Sequence, residues 1–239
     1  MSEFGYAIFD LGECYKTKER SVPETSDIRN QTSEIKRIMN MERLRQTPSQ
    51  TIGPFFAYSL TAEQYGYHYN SIVNASLVDD NVTGERIVMT GSIYDGSGNT
   101  IPDALVELLQ ANANGKYRTI AINRKNDGFT GLGRVGTGTD TNHRFTFSTI
   151  KPAAITEGHA PHINVILFMR GSLHHFYTRM YFSDEVNDTD ALLNSIDVAR
   201  RKTLIAHRKE INNLIYYHFD IHMQGENETV FFDVLNNNF

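Results

Sequence analysis

The stretch that most limits what this chain can fold into is His162-Ile163-Asn164-Val165-Ile166-Leu167-Phe168-Met169-Arg170, entered through Gly158-His159-Ala160-Pro161. Its run of β-branched and apolar residues reads as a strand buried on both faces. Successive side chains on a strand point to opposite sides, so His162, Asn164, Ile166, Phe168 and Arg170 share one face. An imidazole, an amide and a guanidinium on one side of a core strand exceed what packing alone asks for. That face is read as the wall of a site.

The rest of the chain narrows the class. At 239 residues, it suits one large domain, or one domain with an appendage. A formal charge of −5 with no basic cluster argues against nucleic acid, because phosphate binding needs a positive patch. A single cysteine, Cys14, excludes an internal disulfide framework and fits a reducing cytoplasm. The opening Met1-Ser2-Glu3-Phe4-Gly5 shows no basic region followed by an apolar run, so no signal peptide is expected. No apolar stretch approaches the roughly 20 residues a bilayer requires, so no membrane is expected as a partner.

Residues 1–46 differ in kind from the rest. They are polar, with a thin apolar stripe at Ile28, Ile35, Ile38 and Met39, and read as a disordered or loosely attached leader. A true start at Met39 or Met41 is the other reading. Gln46 to Phe56 is expected to be extended, since two prolines and a glycine keep it out of regular helix. Residues 61–83 read as irregular. Ile87 to Tyr94 and Ala104 to Gln110 alternate around Asp95-Gly96-Ser97-Gly98-Asn99 and are expected to form a hairpin. Strands are also expected over Arg144–Ile150, His174–Phe182, Tyr216–Met223 and Thr229–Val234. Only part of Asp188–Arg201 reads as helical. Short strands without alternating helices predict an all-β, antiparallel β-sandwich.

Two motifs lose their first appeal on inspection. Gly131-Leu132-Gly133-Arg134-Val135-Gly136 has the GxGxxG spacing. It lacks the strand before and the helix after that a dinucleotide site needs, and reads as a glycine-rich surface loop. His174-His175 and His159-x-x-His162 have no cysteine or carboxylate at a supporting spacing, so zinc is not expected.

What survives is a set of segments in order: Thr47–Phe56, Ala111-Asn112-Ala113-Asn114-Gly115-Lys116-Tyr117, Phe147–Pro152, Ala160–Asn164, Thr178-Arg179-Met180-Tyr181-Phe182 and Gln224–Asp233. Together they resemble the intradiol ring-cleaving dioxygenases, over residues 47 to 234. The resemblance implies that family's β-sandwich over 47–239, with long loops. Within the family, it points to the alpha subunits, which pair with iron-bearing beta subunits.

Catalytic members hold ferric iron with two tyrosines and two histidines, phenolate oxygens being hard anionic donors suited to a trivalent ion. Carried over by position, the resemblance puts Tyr117 and His162 at two of those places. Ile155 stands at the second tyrosine and Asn164 at the second histidine, and His159 replaces an arginine. These four positions are read as vestigial, with no metal held by this chain. The implied partner is a separate subunit that carries ferric iron and works on a small aromatic substrate and dioxygen. The same resemblance assigns Thr51, Gly53, Pro54, Phe55 and Arg170 to the partner's substrate pocket. There the guanidinium would meet a ring carboxylate. Alpha subunits usually carry tyrosine where Phe55 stands, so a hydroxyl contact is lost or moved. The alternative is a stand-alone β-sandwich binding module that kept the fold and lost the chemistry.

Overall fold

Arg144–Ile150 obeys the period-two rule most plainly: Phe145 and Phe147 are buried while Thr146 and Ser148 face water. The computed structural model describes residues 54–118 and 128–234. Within them lie nine strands: β1 (Arg86–Tyr94), β2 (Leu105–Gln110), β3 (Leu132–Gly136), β4 (Arg144–Ile150), β5 (His162–Phe168), β6 (Phe176–Phe182), β7 (Ile205–Ile211), β8 (Leu214–His218) and β9 (Ile221–His222). Three short α-helices accompany them, α1 (Pro54–Leu60), α2 (Ala191–Asn194) and α3 (Val198–Arg201), with 3-10 turns at Ala62–Tyr65 and Lys202–Leu204. Among the described residues no helix is long and apolar enough to cross a membrane.

The strands form two layers. One runs β3-β2-β5-β6 and the other β8-β1-β4, with β9 beside β1. β7 belongs to both: Ile205 and Ala206 pair with Tyr181 and Phe182 of β6, and His207–Ile211 pair with β8. One core fills the space between, with Leu108, Ile163, Val165, Leu167 and Met180 from the first layer packing with Met89, Ile93, Phe145, Phe147 and Tyr217 from the second. Each such side chain contributes about 1.5–3 kcal/mol by leaving water. The expected β-sandwich is therefore present. Its pairings are antiparallel except β1 with β8 and β9, and β6 with β7, which are parallel.

Several local expectations need correction. The hairpin of β1 with β2 does not form: β1 pairs with β4 and β8, and β2 with β3 and β5. After the Asp95–Asn99 turn, the chain makes one bridge, Tyr94 to Thr100. Pro102 then interrupts the ladder, having no N–H to donate, and the chain crosses to the other layer. The glycine-rich stretch is not a surface loop but strand β3. Its Gly133 lies so close beneath Leu77 that a Cβ there would stand 2.4 Å from Leu77 Cδ1. The extended reading of Gln46–Phe56 fails at its end, where Pro54 opens α1 as a first-turn proline; residues 46–53 lie outside the described residues, as does the leader 1–46. Tyr216–Met223 is broken at Phe219-Asp220 into β8 and β9, and Thr229–Val234 makes only a bridge from Phe232 to Tyr177. β6 begins at Phe176, so His174 and His175 precede the strand.

Candidate functional site

Strand β5 is the spine of the site, and its two faces differ. Ile163, Val165 and Leu167 are wholly buried in the core. On the other face His162 is buried, while Asn164, Ile166 and Phe168 are half-buried. The strand ends at Phe168, so Arg170 lies in the following turn and not on that face.

Two neighbours bring side chains to the His162 end. β6 runs antiparallel with His162 opposite Tyr181 and Asn164 opposite Arg179. The Ala111–Tyr117 segment is shaped by Asn112, whose side-chain oxygen accepts from Asn114 N (2.9 Å) and Lys116 N (3.0 Å). Gly115, at φ 71°, completes that turn against Ala154 and Ile155. A Cβ on Gly115 would stand 2.1 Å from the Ala154 carbonyl oxygen and 3.4 Å from Ile155 Cα. Three of the four positions that the resemblance singled out are therefore in direct contact, Tyr117 with His162 and with Asn164, while Ile155 lies against the turn at Gly115 that leads to Tyr117.

Elementary valence fixes the hydrogen bonds among them. Arginine can only donate, so the Asn164 atom 3.1 Å from Arg179 Nε is the amide oxygen. The Asn164 amide nitrogen donates to Tyr117 Oη at 2.7 Å and to the Leu109 carbonyl at 3.3 Å. His162 Nδ1 lies 2.8 Å from the Ala160 carbonyl, which can only accept, so Nδ1 carries the proton. Nε2 then offers its lone pair to the Tyr117 hydroxyl at 3.5 Å, a long contact. Burial, reinforced by the Arg179 charge, pushes the His162 pKa down to about 4, and the ring is neutral. Burial raises the Tyr117 pKa, with Arg179 and Asn164 only partly opposing it, so the phenol keeps its proton.

The chain of contacts continues to a buried carboxylate. Arg179 Nη1 donates to Tyr181 Oη at 3.4 Å, and the Tyr181 hydroxyl donates to Asp190 Oδ1 at 2.9 Å. Asp190 caps α2 by accepting from Leu193 N and also accepts from Ala160 N at 3.0 Å. Burial works against its charge, but these donors outweigh it and hold its pKa below the ordinary carboxylate value. Arg179 and Tyr181 were named from the sequence only within the segment Thr178–Phe182, and neither they nor Asp190 were given a role. The available signals were the shared face of Arg179 and Tyr181 and the cap spacing Asp190-x-x-Leu193.

Of the other candidates, Arg170 and the start of α1 lie at the far end of β5. Arg170 is eight residues beyond His162, roughly 25 Å of chain at strand rise. It is exposed and ion-paired with Asp103. Phe56 of α1 packs on Phe168 with ring centroids 5.6 Å apart, which places the start of α1 beside the turn holding Arg170. Thr51 and Gly53 lie outside the described residues. A separate cavity of about 300 Å³, lined by Thr61, Gln64, Asn74 and Arg134, touches neither group.

A sequence model of a family described as Dioxygenase matches residues 64–225. The chain belongs to this family, the intradiol dioxygenases. The protocatechuate 3,4-dioxygenase alpha chain of Burkholderia cepacia is 45% identical over 197 residues, covering 81% of this chain and 100% of that protein. The beta chain of the same enzyme, also from Burkholderia cepacia, is 31% identical over 202 residues, covering 79% of this chain and 82% of that one. The dioxygenase domain of a dioxygenase–carbohydrate-binding fusion from Streptomyces sp. SirexAA-E superposes with a TM-score of 0.50 at 20% identity. That match covers 77% of this chain and 100% of the domain, and it speaks for the fold alone.

Intradiol dioxygenases are iron-dependent as a family. The residues gathered here do not fit a ferric ion. A trivalent metal needs anionic, hard donors. The four positions offer a phenol that burial keeps protonated, a neutral imidazole, an amide and an alkyl chain. The Tyr117 oxygen and the Asn164 oxygen are each committed to a hydrogen bond, and a guanidinium stands among them.

Proposed function

We propose that this chain is the non-iron-binding alpha subunit of a protocatechuate 3,4-dioxygenase. Its partner is a beta subunit that holds the ferric iron and cleaves 3,4-dihydroxybenzoate with dioxygen to 3-carboxy-cis,cis-muconate. Tyr117, Ile155, His162 and Asn164 are the vestigial ligand positions. The observation that carries this reading is the network around Tyr117, His162 and Asn164: its hydrogen bonds are satisfied internally and its cation is Arg179. The similarity to both an alpha and a beta chain of one enzyme supports the two-subunit arrangement.

In this reading Thr51, Gly53, Pro54, Phe55 and Arg170 complete the partner's substrate pocket. Arg170 is suited to that part because it is exposed and its ion pair with Asp103 is of a kind worth little in water. A substrate carboxylate exchanges for the Asp103 carboxylate with no change in the charge around the guanidinium. The planar fork adds geometric selectivity for carboxylated over plain catechols. The single cysteine supports a cytoplasmic setting.

The test is co-expression with a beta chain, followed by separation of the two chains and metal analysis of each. The expected result is iron with the beta chain only, and ring-opening activity in the complex but not in this chain alone. Stoichiometric iron on this chain, with activity in its isolated form, overturns the reading.

A further inference from the structure

The loss of two ligands explains why this cluster does not fit iron, but it leaves Arg179 unexplained. Arg179 sits opposite Asn164 on β6, half-buried, and its hydrogen bonds go to two neutral oxygens, Asn164 Oδ1 and Tyr181 Oη. Among the described residues it makes no direct ion pair. A cation so placed is costly unless an anion nearby balances it. Asp190 does so through Tyr181, whose hydroxyl bridges the guanidinium and the carboxylate. Asp190 is itself held in place by Leu193 N and Ala160 N.

We propose that Arg179 is the resident cation of the dismantled metal centre, and that its charge excludes ferric iron independently of the missing ligands. This rests on the vestigial reading of Tyr117, Ile155, His162 and Asn164. The guanidinium is one hydrogen bond from Asn164, and Asn164 is one hydrogen bond from Tyr117, so it reaches half of the former ligand set within two steps. A trivalent ion placed among those residues meets three times the repulsion that two unit charges feel at the same separation. Arg179 also holds Asn164 with its oxygen toward β6 and its N–H toward Tyr117. The loss of ligands and the gain of a cation are then two separate locks on one site. Restoring the ligands alone opens only the first.

The full chain carrying Ile155→Tyr and Asn164→His is compared with the same chain carrying Arg179→Gln or Arg179→Lys in addition. Ferric iron is titrated into each, with readouts of iron per chain and the visible absorption of a phenolate bound to ferric ion. The expected result is at least a tenfold gain in ferric affinity with Arg179→Gln and little gain with Arg179→Lys, which keeps the charge. Equal affinity of the double variant and the Arg179→Gln triple variant, including equal absence of binding, overturns the proposal. So does an equal gain with Arg179→Lys, which makes the effect one of shape. Circular dichroism monitors the fold; if the triple variant is unfolded, Asn164→His against Asn164→His with Arg179→Gln repeats the comparison with fewer changes. Stoichiometric iron on the unaltered chain is a different outcome, which sinks the vestigial reading itself.

Discussion

The two ends of strand β5 carry the same kinds of residue to opposite effect. At the His162 end, an imidazole, an amide, two phenols, a guanidinium and a carboxylate satisfy one another in a closed chain. At the Phe168 end, aromatic rings from α1 and β5 pack together and an exposed arginine is paired with Asp103. The first end is written for internal order and the second for contact with something outside. Burial decides which is which: a polar group removed from water must find its partner within the chain, whereas an exposed one remains free to exchange.

The contrast is sharpest in stability. Asp190→Ala strips the partner from Tyr181, Leu193 N and Ala160 N, and leaves Arg179 without its balancing charge. It should cost about 3–5 kcal/mol in urea unfolding; a loss below about 1 kcal/mol would break the view of this end as a closed network. Acidification probes the same end. Unfolded histidine takes a proton near pH 6.5, whereas His162 in the fold resists until about 4. The unfolded chain therefore binds more protons in that window, and stability falls as the pH drops through it, by about 3 kcal/mol in total. His162→Asn should flatten that part of the pH profile of unfolding. Asp190, held low, contributes stability that is lost only at more acid pH, as its own carboxylate protonates.

The open end should respond in function and not in stability. Arg170→Ala in the alpha–beta complex should raise KM for the carboxylated catechol by roughly 10- to 100-fold, as expected for a charged hydrogen bond of about 1.5–3 kcal/mol. KM for plain catechol should stay within about twofold. Equal effects on both substrates would remove the carboxylate role. Smallest of all, Asp103→Asn should shift the unfolding free energy by less than about 1 kcal/mol, because an exposed ion pair contributes little.

The strands that sequence showed plainly are those with a clear apolar alternation or an unbroken apolar run, such as β4 and β5. β4 alternates because Phe145 and Phe147 enter the core while their neighbours face water. β7 escaped notice because only Ala206 is buried, and His207 to Ile211 carry polar and charged residues along an exposed ribbon. β3 was hidden by its glycines, and the reason for Gly133 lies in the approach of Leu77 and not in the strand itself. The parallel pairings of β1 and β6 join segments far apart in sequence and leave no local trace. At the site, Tyr117 and Ile155 stood out through resemblance alone, and His162 and Asn164 also through their shared face of the strand. Arg179 and Asp190 did not, since their meaning comes from the register of β5 with β6 and from the cap of α2. Both are facts of assembly that single segments do not hold.

One feature of the scaffold sets how the two ends communicate. Because β7 is stitched to β6 by Ile205 and Ala206 and to β8 by the residues after them, the two layers cannot shear past each other without tearing a ladder. The scaffold therefore resists the sliding by which stacked sheets absorb strain. Parting the two layers means breaking either the two-residue ladder of β6 with β7 or the five-residue ladder of β7 with β8, and the shorter seam is the one that gives first.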